Sequence, residues 1–418
     1  FSGLYIYPSY YLEKIDGATY VDKYQFELMP GSGPYVLNTE RTTQDNNGLA
    51  VLDRRGDYWA EDHLRNTGLW NFNTVEFIFI NDETQEVERF FAGDYDTYGV
   101  GRAQWWSQRF VADEYSEIKR GMIQRKKYIN FSPAGVGGIA FNTLEEPFSD
   151  IRVREAFCHL WDVDKLMDKL FFNEYVRKNS YYPRSKYEHP DNPIQDYNPD
   201  YALELLSDAG WTRKKGDTWL TNDKGEIFEI EEFHITQGWD RIFNYFVQDL
   251  ESIGIKLNLV VIQNPFEMAM NRKFKIYSGG WVGSLLPSPE GMLHSKFAEK
   301  IDVTNITGMA NPEIDKLIEK YDLSWDMKER IQILQKIDSL ATREYHYAFG
   351  WAAPYGYRSL NWNKFGTPES GISYDGNWLD PIKWWWVDPM KKEKLQAALK
   401  NNTINLPIEK EIIDYWKS

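Results

Sequence analysis

Histidine and cysteine are the side chains in this sequence that most often support catalytic or metal chemistry. The six histidines are spread along the chain, at His63, His159, His189, His234, His294 and His346. None belongs to an HExxH pattern, and no spacing places two imidazoles and a carboxylate on one helical face. The single cysteine, Cys158, falls on an apolar helical face, and no G-x-S-x-G motif is present. The sequence therefore predicts no catalytic residue, no metal ion and no organic cofactor.

Two glycine-rich segments were considered as phosphate-binding loops. Residues 99–101 read GVG and residues 135–138 read GVGG, and neither fits a Walker loop or a complete dinucleotide fingerprint after a strand. They are better explained as places where backbone approaches a ligand or a hinge closely. Paired carboxylates are plentiful among 63 acidic residues, so a carbohydrate hydrolase stays a distant alternative.

Composition predicts a globular chain with an acidic surface. A length of 418 residues suggests about two to three domains. The hydrophobic content of 42% is ample for burial, and no apolar run approaches the roughly 20 residues of a membrane-spanning helix. The formal charge of -15 disfavours a nucleic-acid partner, which requires a basic surface. Aromatic residues make up 16% of the chain, and a binder of varied ligands would use them as contact surface.

The hydrophobic pattern predicts alternating strands and helices. Residues 137–143 read as a short apolar strand. Pro147 disfavours helix before it, and Ser149 or Asp150 can cap the helix that we expect next. A second helix is expected after Asp162, with an apolar face that extends to Phe171. Further on, a strand at 227–235, a helix at 240–253 and a strand at 256–262 predict a parallel strand pair joined by a crossover helix. Further helices are predicted at 84–91, 200–209, 312–321 and 327–343, with sheet strands between residues 33 and 98.

Several segments resemble, in order along the chain, motifs of the family 5 extracellular solute-binding proteins, the peptide- and nickel-binding receptors of ABC importers. Residues 141–156 resemble the family pattern F-N-x-x-x-x-P-F-x-D-x-R-V-R-x-A. Four shorter segments also resemble family motifs: GSGPYVL at 31–37, RRGDYW at 54–59, FAGDYD at 91–96 and ALELLSDAG at 202–210. Each motif alone is weak, but together they are collinear over nearly the whole chain. The sequence is thus identified as a member of this family.

The C-terminal part resembles the YejA-type branch of the family, which is associated with oligopeptide and microcin C uptake. The resemblance lies in IYSGGW at 276–281, NPEIDKLI at 311–318 and WWW at 384–386. That branch typically has W-W-W-D, whereas here Val387 precedes Asp388. The role of Asp388 is therefore left open.

The resemblance implies an α/β, two-lobed fold of the periplasmic-binding-protein type (class II), with large lobes that are discontinuous in sequence. We expect residues 1–135 in the first lobe, 136–354 in the second lobe, and 355–418 back in the first. Family members are longer, and residues 1–14 resemble a stretch inside the first large domain. An N-terminal truncation is therefore expected, with the small N-terminal domain and the signal peptide missing.

The function implied by the resemblance is that of a receptor and not of an enzyme. It would capture an oligopeptide in the cleft between the lobes and deliver it to the permease subunits of an ABC transporter. The location would be periplasmic or extracellular, with membrane contact only through the permease or a missing lipid anchor. Another solute is the alternative: a sugar, a nickel chelate or a peptide-like antibiotic such as microcin C.

The predicted ligand site rests partly on the same resemblance and partly on residues that lie at predicted strand ends. Family ligands contact the segment that here spans residues 278–284, where Gly280 would admit peptide backbone and Trp281 would form an aromatic wall. The full set of expected ligand-binding residues is Gly279, Gly280, Trp281, Val282, Asn142, Gln237, Trp239, Phe266, Trp351 and Trp105. In better-known receptors an acid after that Trp pairs with the peptide ammonium, but here the position falls near Ser284 and the next acid is Glu290. Either the ammonium is held elsewhere or the ligand is not an ordinary free peptide.

Overall fold

The computed structural model describes residues 7–24, 29–43 and 48–417. The first six residues of the segment at 1–14, which carried the truncation prediction, lie outside this part. The strands are β1 (Tyr35–Leu37), β2 (Leu49–Arg54), β3 (Thr74–Ile78), β4 (Thr97–Gly99), β5 (Ile123–Tyr128), β6 (Gly137–Phe141), β7 (Val176–Arg177), β8 (Glu229–Ile235), β9 (Lys256–Val261), β10 (Ile276–Gly280), β11 (Tyr347–Phe349), β12 (Trp351–Ala352), β13 (Tyr357–Trp362), β14 (Phe365–Gly366), β15 (Trp386–Val387) and β16 (Ile412–Ile413).

Helices of four to 16 residues alternate with these strands. They are α1 (Ser9–Leu12), α2 (Tyr20–Tyr24), α3 (Glu83–Ala92), α4 (Ser116–Lys119), α5 (Ile151–Leu160), α6 (Val163–Lys169), α7 (Pro199–Asp208), α8 (Asp240–Ile253), α9 (Pro265–Met270), α10 (Glu290–Leu293), α11 (Pro312–Leu323), α12 (Met327–Thr342), α13 (Asp380–Trp384) and α14 (Pro389–Lys400). None of the helices formed by the described residues combines the length and apolar character needed to cross a membrane.

Eleven of the strands fall into two groups, while β1, β2 and β3 form a separate sheet and β14 pairs with β15. In one group, β13 pairs with β4 and β5, and β16 extends the same sheet in the order β16-β5-β13-β4. A chain segment after residue 355 thus completes a sheet begun before residue 130. In the other group, β6 lies between β10 and β11, β7 pairs with β12, and β8 runs parallel to β9. This pairing is consistent with the predicted return of the chain to the first lobe, which stays a prediction together with the boundaries at 135 and 354.

The buried cores follow the same division. Two clusters are formed by residues from Val136 to Phe349, and one of them packs α5 and α8 around the aromatic side chains of Phe157, Phe228 and Phe246. The other two clusters combine residues 87–128 with residues 357–406. Each group of sheets therefore has cores of its own, as a domain requires.

Helix α5 and helix α6 begin where the acidic caps predict. Asp150 accepts a hydrogen bond from the Arg152 N–H at 2.8 Å, and Asp162 accepts one from the Lys165 N–H at 2.9 Å. Both carboxylates satisfy N–H groups that have no partner inside their helix. Helix α6 ends earlier than predicted, at Lys169, because Phe172 and Asn173 adopt positive φ angles and turn the chain back.

The crossover between β8 and β9 is confirmed. Helix α8 spans the predicted residues, and Gly254 ends it with a left-handed φ of 96°. Its apolar face packs into the core through Ile242, Phe243, Phe246 and Leu250. The parallel pair that results brings the loop after β8 close to the end of β10.

Two acidic residues have structural roles. Asp388 caps α14 by accepting hydrogen bonds from the Met390 and Lys391 N–H groups. Asp338 on α12 is fully buried. Its carboxylate accepts hydrogen bonds from two side chains, Ser180 Oγ and Asn192 Nδ2, and from two backbone N–H groups, those of Tyr181 and His189. Asp338 therefore holds the loop that follows β7 in place.

Candidate ligand-binding site

The glycine-rich ends of β6 and β10 form the floor of the candidate site. In their antiparallel register, Gly279 lies opposite Gly138 and Gly280 opposite Gly137. A Cβ atom at Gly280 would overlap the Val136 carbonyl oxygen, and one at Gly138, whose φ is 152°, would overlap that of Ala348. The close approach at Gly280 is therefore to the backbone of this chain, so its glycine is required by the strand pair itself.

A pocket of about 270 Å³ opens between the end of β10 and the loops that follow β8 and β9. Its lining residues are neutral: Ile235, Thr236, Trp239, Phe243, Gln263, Asn264, Pro265, Phe266, Tyr277, Ser278 and Gly279. Strand β10 is the outer strand in the order β10-β6-β11 of the described residues, so its far edge has no further strand from that sheet. Backbone groups on such an edge can hydrogen-bond an extended chain.

Stacked tryptophans form one wall of this pocket. The ring of Trp239 lies 6.1 Å from that of Trp351 at an interplanar angle of 24° and also stacks on Phe243. Trp351 is packed from behind by Phe171, with ring centroids 4.6 Å apart. Trp239 keeps 41% of its surface exposed. Aromatic faces supported in this way offer rigid apolar contact area at low entropic cost.

Trp281 and Phe266 meet at the other end of the pocket. Their rings are 6.1 Å apart in an edge-to-face arrangement, and Phe266 lines the pocket with 47% of its surface exposed. The backbone N–H of Trp281 donates to the Val136 carbonyl at 2.9 Å, and its half-buried ring packs on the neighbouring core. Trp281 thus supports Phe266, and the buried indole Nε1 has no hydrogen-bond partner among the described residues.

The structure brings only some of the predicted site residues together. Gly279, Trp239 and Phe266 line the pocket. Trp351 and Trp281 contact the lining rings of Trp239 and Phe266, and Gly280 follows Gly279 at the end of β10. Gln237 is exposed in the loop before α8, and Val282 is 95% exposed beyond Trp281. These two residues border the pocket region without lining it.

Asn142 and Trp105 lie elsewhere. The Asn142 side chain is buried, donates to the Phe274 carbonyl and accepts from the Leu144 N–H, so it closes a turn after β6. Trp105 packs in the first lobe, with the guanidinium groups of Arg102 and Arg109 over its ring at 5.0 and 4.6 Å. The structure thus supplies a structural role for both residues.

Sequence reasoning missed Tyr277, Gln263 and Asn264 as pocket residues, whereas Ser278 belongs to the segment that it expected to contact the ligand. It also missed Lys178, which packs against Gly137. No local pattern marks a lysine at the end of a two-residue strand, so that signal is absent from the sequence.

The reactive side chains are placed unfavourably for catalysis. Cys158 is fully buried on α5, and burial raises the pKa of its thiol. Burial likewise lowers the pKa of the His346 imidazole well below its ordinary value. In residues 7–24, 29–43 and 48–417, no three His, Cys, Asp or Glu side chains are grouped so that they could hold a metal ion.

The fold is that of the two-lobed periplasmic binding proteins. The oligopeptide-binding protein AppA from Bacillus subtilis, solved with a nonapeptide, superposes with a TM-score of 0.72 at 20% identity, over 91% of this chain and 72% of AppA. The predicted fold class is therefore confirmed.

The chain belongs to the bacterial extracellular solute-binding proteins of family 5, whose model (family 5 Middle) matches residues 2–302. It is 26% identical to the uncharacterized protein YejA of Escherichia coli K12 over 406 residues, which is 88% of this chain and 65% of that protein. It is 22% identical to a probable peptide-binding protein YejA of Agrobacterium fabrum, over 86% of this chain and 63% of that protein. The predicted family and branch are confirmed, and the chain spans less than two thirds of the length of these curated relatives.

Proposed function

We propose that this chain is part of the substrate-binding receptor of an ABC transporter and captures an oligopeptide in the cleft beside β10. The observation that carries the proposal is the neutral pocket between β10, the outer strand of its sheet among the described residues, and the Trp239–Trp351 stack. A backbone edge can hold peptide main chain of any sequence, while an aromatic wall accepts varied side chains. The probable peptide-binding protein of Agrobacterium fabrum and AppA support a peptide as the ligand.

The partners and location follow from that role. The loaded receptor would deliver its peptide to the permease subunits of the transporter in the periplasm or at the outer cell surface. Family membership among extracellular binding proteins supports this location. The receptor would release the peptide unchanged, as expected of a member of a solute-binding family.

The end of β10 restricts how the peptide ammonium can be held. Ser284 is engaged in a local turn with Leu286, and Glu290 forms an ion pair with Lys296. Neither supplies a free carboxylate beside Trp281. The ligand ammonium would therefore be bound elsewhere, or the ligand would be a peptide-like molecule with a blocked amino end.

A ligand screen tests the proposal. Thermal-shift and native mass spectrometry of the purified protein would be run with peptide pools, with sugars, and with free and chelated nickel. Stabilisation by peptides that is lost in Trp239→Ala and kept in Trp325→Ala supports the proposal, because Trp325 is 93% exposed between α11 and α12. Stabilisation by sugars or nickel alone would replace the peptide with that solute.

A further inference from the structure

We propose that the ammonium group of Lys178 is an anion-binding group of this site and pairs with a carboxylate of the ligand. This inference rests on the proposed function and deepens it, because it assigns a charge to one end of the ligand. It concerns a residue for which the sequence motifs suggested no role.

The backbone places Lys178 between two parts of the site. Its N–H donates to the Gly350 carbonyl at 3.0 Å, next to Trp351, which supports the aromatic wall. Its Nζ lies 3.1 Å from the point where a Cβ of Gly137 would stand, and that point is 3.5 Å from the Gly279 carbonyl oxygen. Gly279 lines the pocket. The glycine at position 137 thus leaves the space that the ammonium group occupies.

The Lys178 side chain is buried without a counter-ion. The residue is only 9% exposed, and no carboxylate or other acceptor among the described residues binds its Nζ. Burial alone lowers the pKa of Lys178 to about 8. A charge in such a place is costly unless an acceptor arrives.

A second buried lysine in the same chain shows the usual solution. Lys126 is 7% exposed, but its Nζ contacts Glu409 at 2.9 Å and the Lys410 carbonyl at 2.8 Å. Lys126 is satisfied within the protein, whereas Lys178 lacks an acceptor. The difference points to a ligand as the missing partner of Lys178.

The surroundings of Lys178 favour an anion. The ring of Tyr277 on β10 lies against Gly279, and burial raises the pKa of its hydroxyl, so it is neutral near pH 7. Arg177 on β7 is engaged with the Gln195 carbonyl and with Asp164. The residues that line the pocket are neutral, so the positive charge beside it comes from the Lys178 ammonium group.

A carboxylate fits this site by its size and charge. It could be the C-terminal carboxylate of a peptide or an acidic side chain, since both accept charge-assisted hydrogen bonds from an ammonium group. Binding requires Lys178 in its protonated form. The affinity should therefore be highest below pH 8 and should fall by up to about tenfold per pH unit above it.

Isothermal titration with three matched tetrapeptides tests the assignment. They are Ala-Phe-Ala-Phe as the free acid, the same peptide as its C-terminal amide, and Ala-Phe-Glu-Phe as its amide, each at pH 7.0 and pH 9.5. We expect the free acid or the glutamate peptide to bind about 10- to 100-fold more tightly than the neutral amide at pH 7.0. Whichever of the two gains affinity identifies the source of the carboxylate.

Substitutions of Lys178 separate charge from packing. Lys178→Met should remove the preference and its pH dependence while neutral-amide binding remains, and Lys178→Arg should keep the preference at both pH values. Lys186→Met, an exposed lysine on the same loop, is the matched control and should change nothing.

The outcomes distinguish this inference from the proposed function. Equal binding of all three peptides by the wild type at both pH values would overturn the role of Lys178 and leave peptide binding intact. Failure of every peptide to bind would overturn both. If Lys178→Met does not fold, the comparison of acid with amide in the wild type decides the question by itself.

Discussion

The indole of Trp239 stacks on that of Trp351, with ring centroids 6.1 Å apart, at the point where the loop after β8 meets the segment after β11. The two rings have different surroundings. Trp239 is 41% exposed and lines the pocket, whereas Trp351 is half-buried against Phe171 and Trp161. One ring therefore contacts the ligand in the proposed complex, and the other holds it in position.

This difference predicts that one alanine substitution mainly reduces peptide affinity and that the other mainly reduces the stability of the fold. Trp239→Ala should reduce peptide affinity by about 2 kcal/mol, roughly 30-fold, with a loss of only about 1 kcal/mol in unfolding free energy. Trp351→Ala should reduce the unfolding free energy by about 3 kcal/mol, because it removes a packed aromatic side chain. Urea unfolding and calorimetric titration of both variants measure the two quantities. A larger stability loss in Trp239→Ala than in Trp351→Ala would contradict this division.

Gly280→Ala should destabilise the protein by more than about 2 kcal/mol, because the new Cβ would overlap the Val136 carbonyl oxygen. Gly56→Ala is the matched control, since open space surrounds that glycine. The midpoint of urea unfolding compares the two variants. Equal midpoints for Gly280→Ala and Gly56→Ala would show that β6 and β10 leave room for a Cβ atom at position 280.

Glu174 links the two groups of sheets. Its Oε2 lies 2.6 Å from Lys127 Nζ and 3.3 Å from Arg358 Nη1, and all three side chains are at most 15% exposed. Glu174→Gln leaves two buried cations with one neutral partner, so we expect a loss of about 3 kcal/mol in unfolding free energy.

The exposed pair Lys336–Glu313, which is 2.9 Å apart, provides the control for that substitution. Glu313→Gln should cost less than about 1 kcal/mol, as exposed ion pairs do. Thermal unfolding of both variants at two salt concentrations gives the comparison. Similar losses in both would mean that Glu174 contributes no more than a surface pair.

Lys178 predicts a pH dependence of stability. Its pKa is about 8 in the folded protein, whereas an exposed lysine in the unfolded chain has a pKa of about 10.5. Between these two pH values the unfolded chain therefore binds more protons than the folded protein. The unfolding free energy should therefore rise with pH from 8 to 10.5. Relative to Lys178→Met, the wild type should gain up to about 3 kcal/mol over this window. Urea unfolding of both proteins at pH 7.5 and pH 10 measures the gain, and a parallel response would contradict the buried, unpaired charge.

The sequence predicted the fold well where local signals and packing agree. Helix α8 begins at Asp240 and ends at Gly254 because a 3.6-residue apolar pattern and a C-terminal glycine coincide there. Asp150 and Asp162 mark the starts of α5 and α6 for a similar local reason. The end of α6 was missed because the positive φ angles of Phe172 and Asn173 depend on tertiary packing.

The site was only partly predictable. Trp239 and Phe266 were proposed as contact residues because they are aromatic and follow predicted strands, and both line the pocket. Lys178 was not proposed, because its place beside the pocket depends on Gly137, which is distant in sequence and close in space. Asn142 was placed in the site from its position after a strand, yet its amide is used to close a turn with Phe274 and Leu144.

In the proposed function, the chain binds a peptide at the Trp239 pocket and releases it unchanged. Equilibrium dialysis of a defined peptide pool against the wild type, Trp239→Ala and Trp325→Ala, with mass spectrometry of the recovered peptides, measures both binding and release. We predict that the wild type and Trp325→Ala retain intact peptides and that Trp239→Ala retains at least tenfold less, by the affinity loss expected for a central aromatic contact. Cleaved peptides, or equal retention by all three proteins, would contradict the claim.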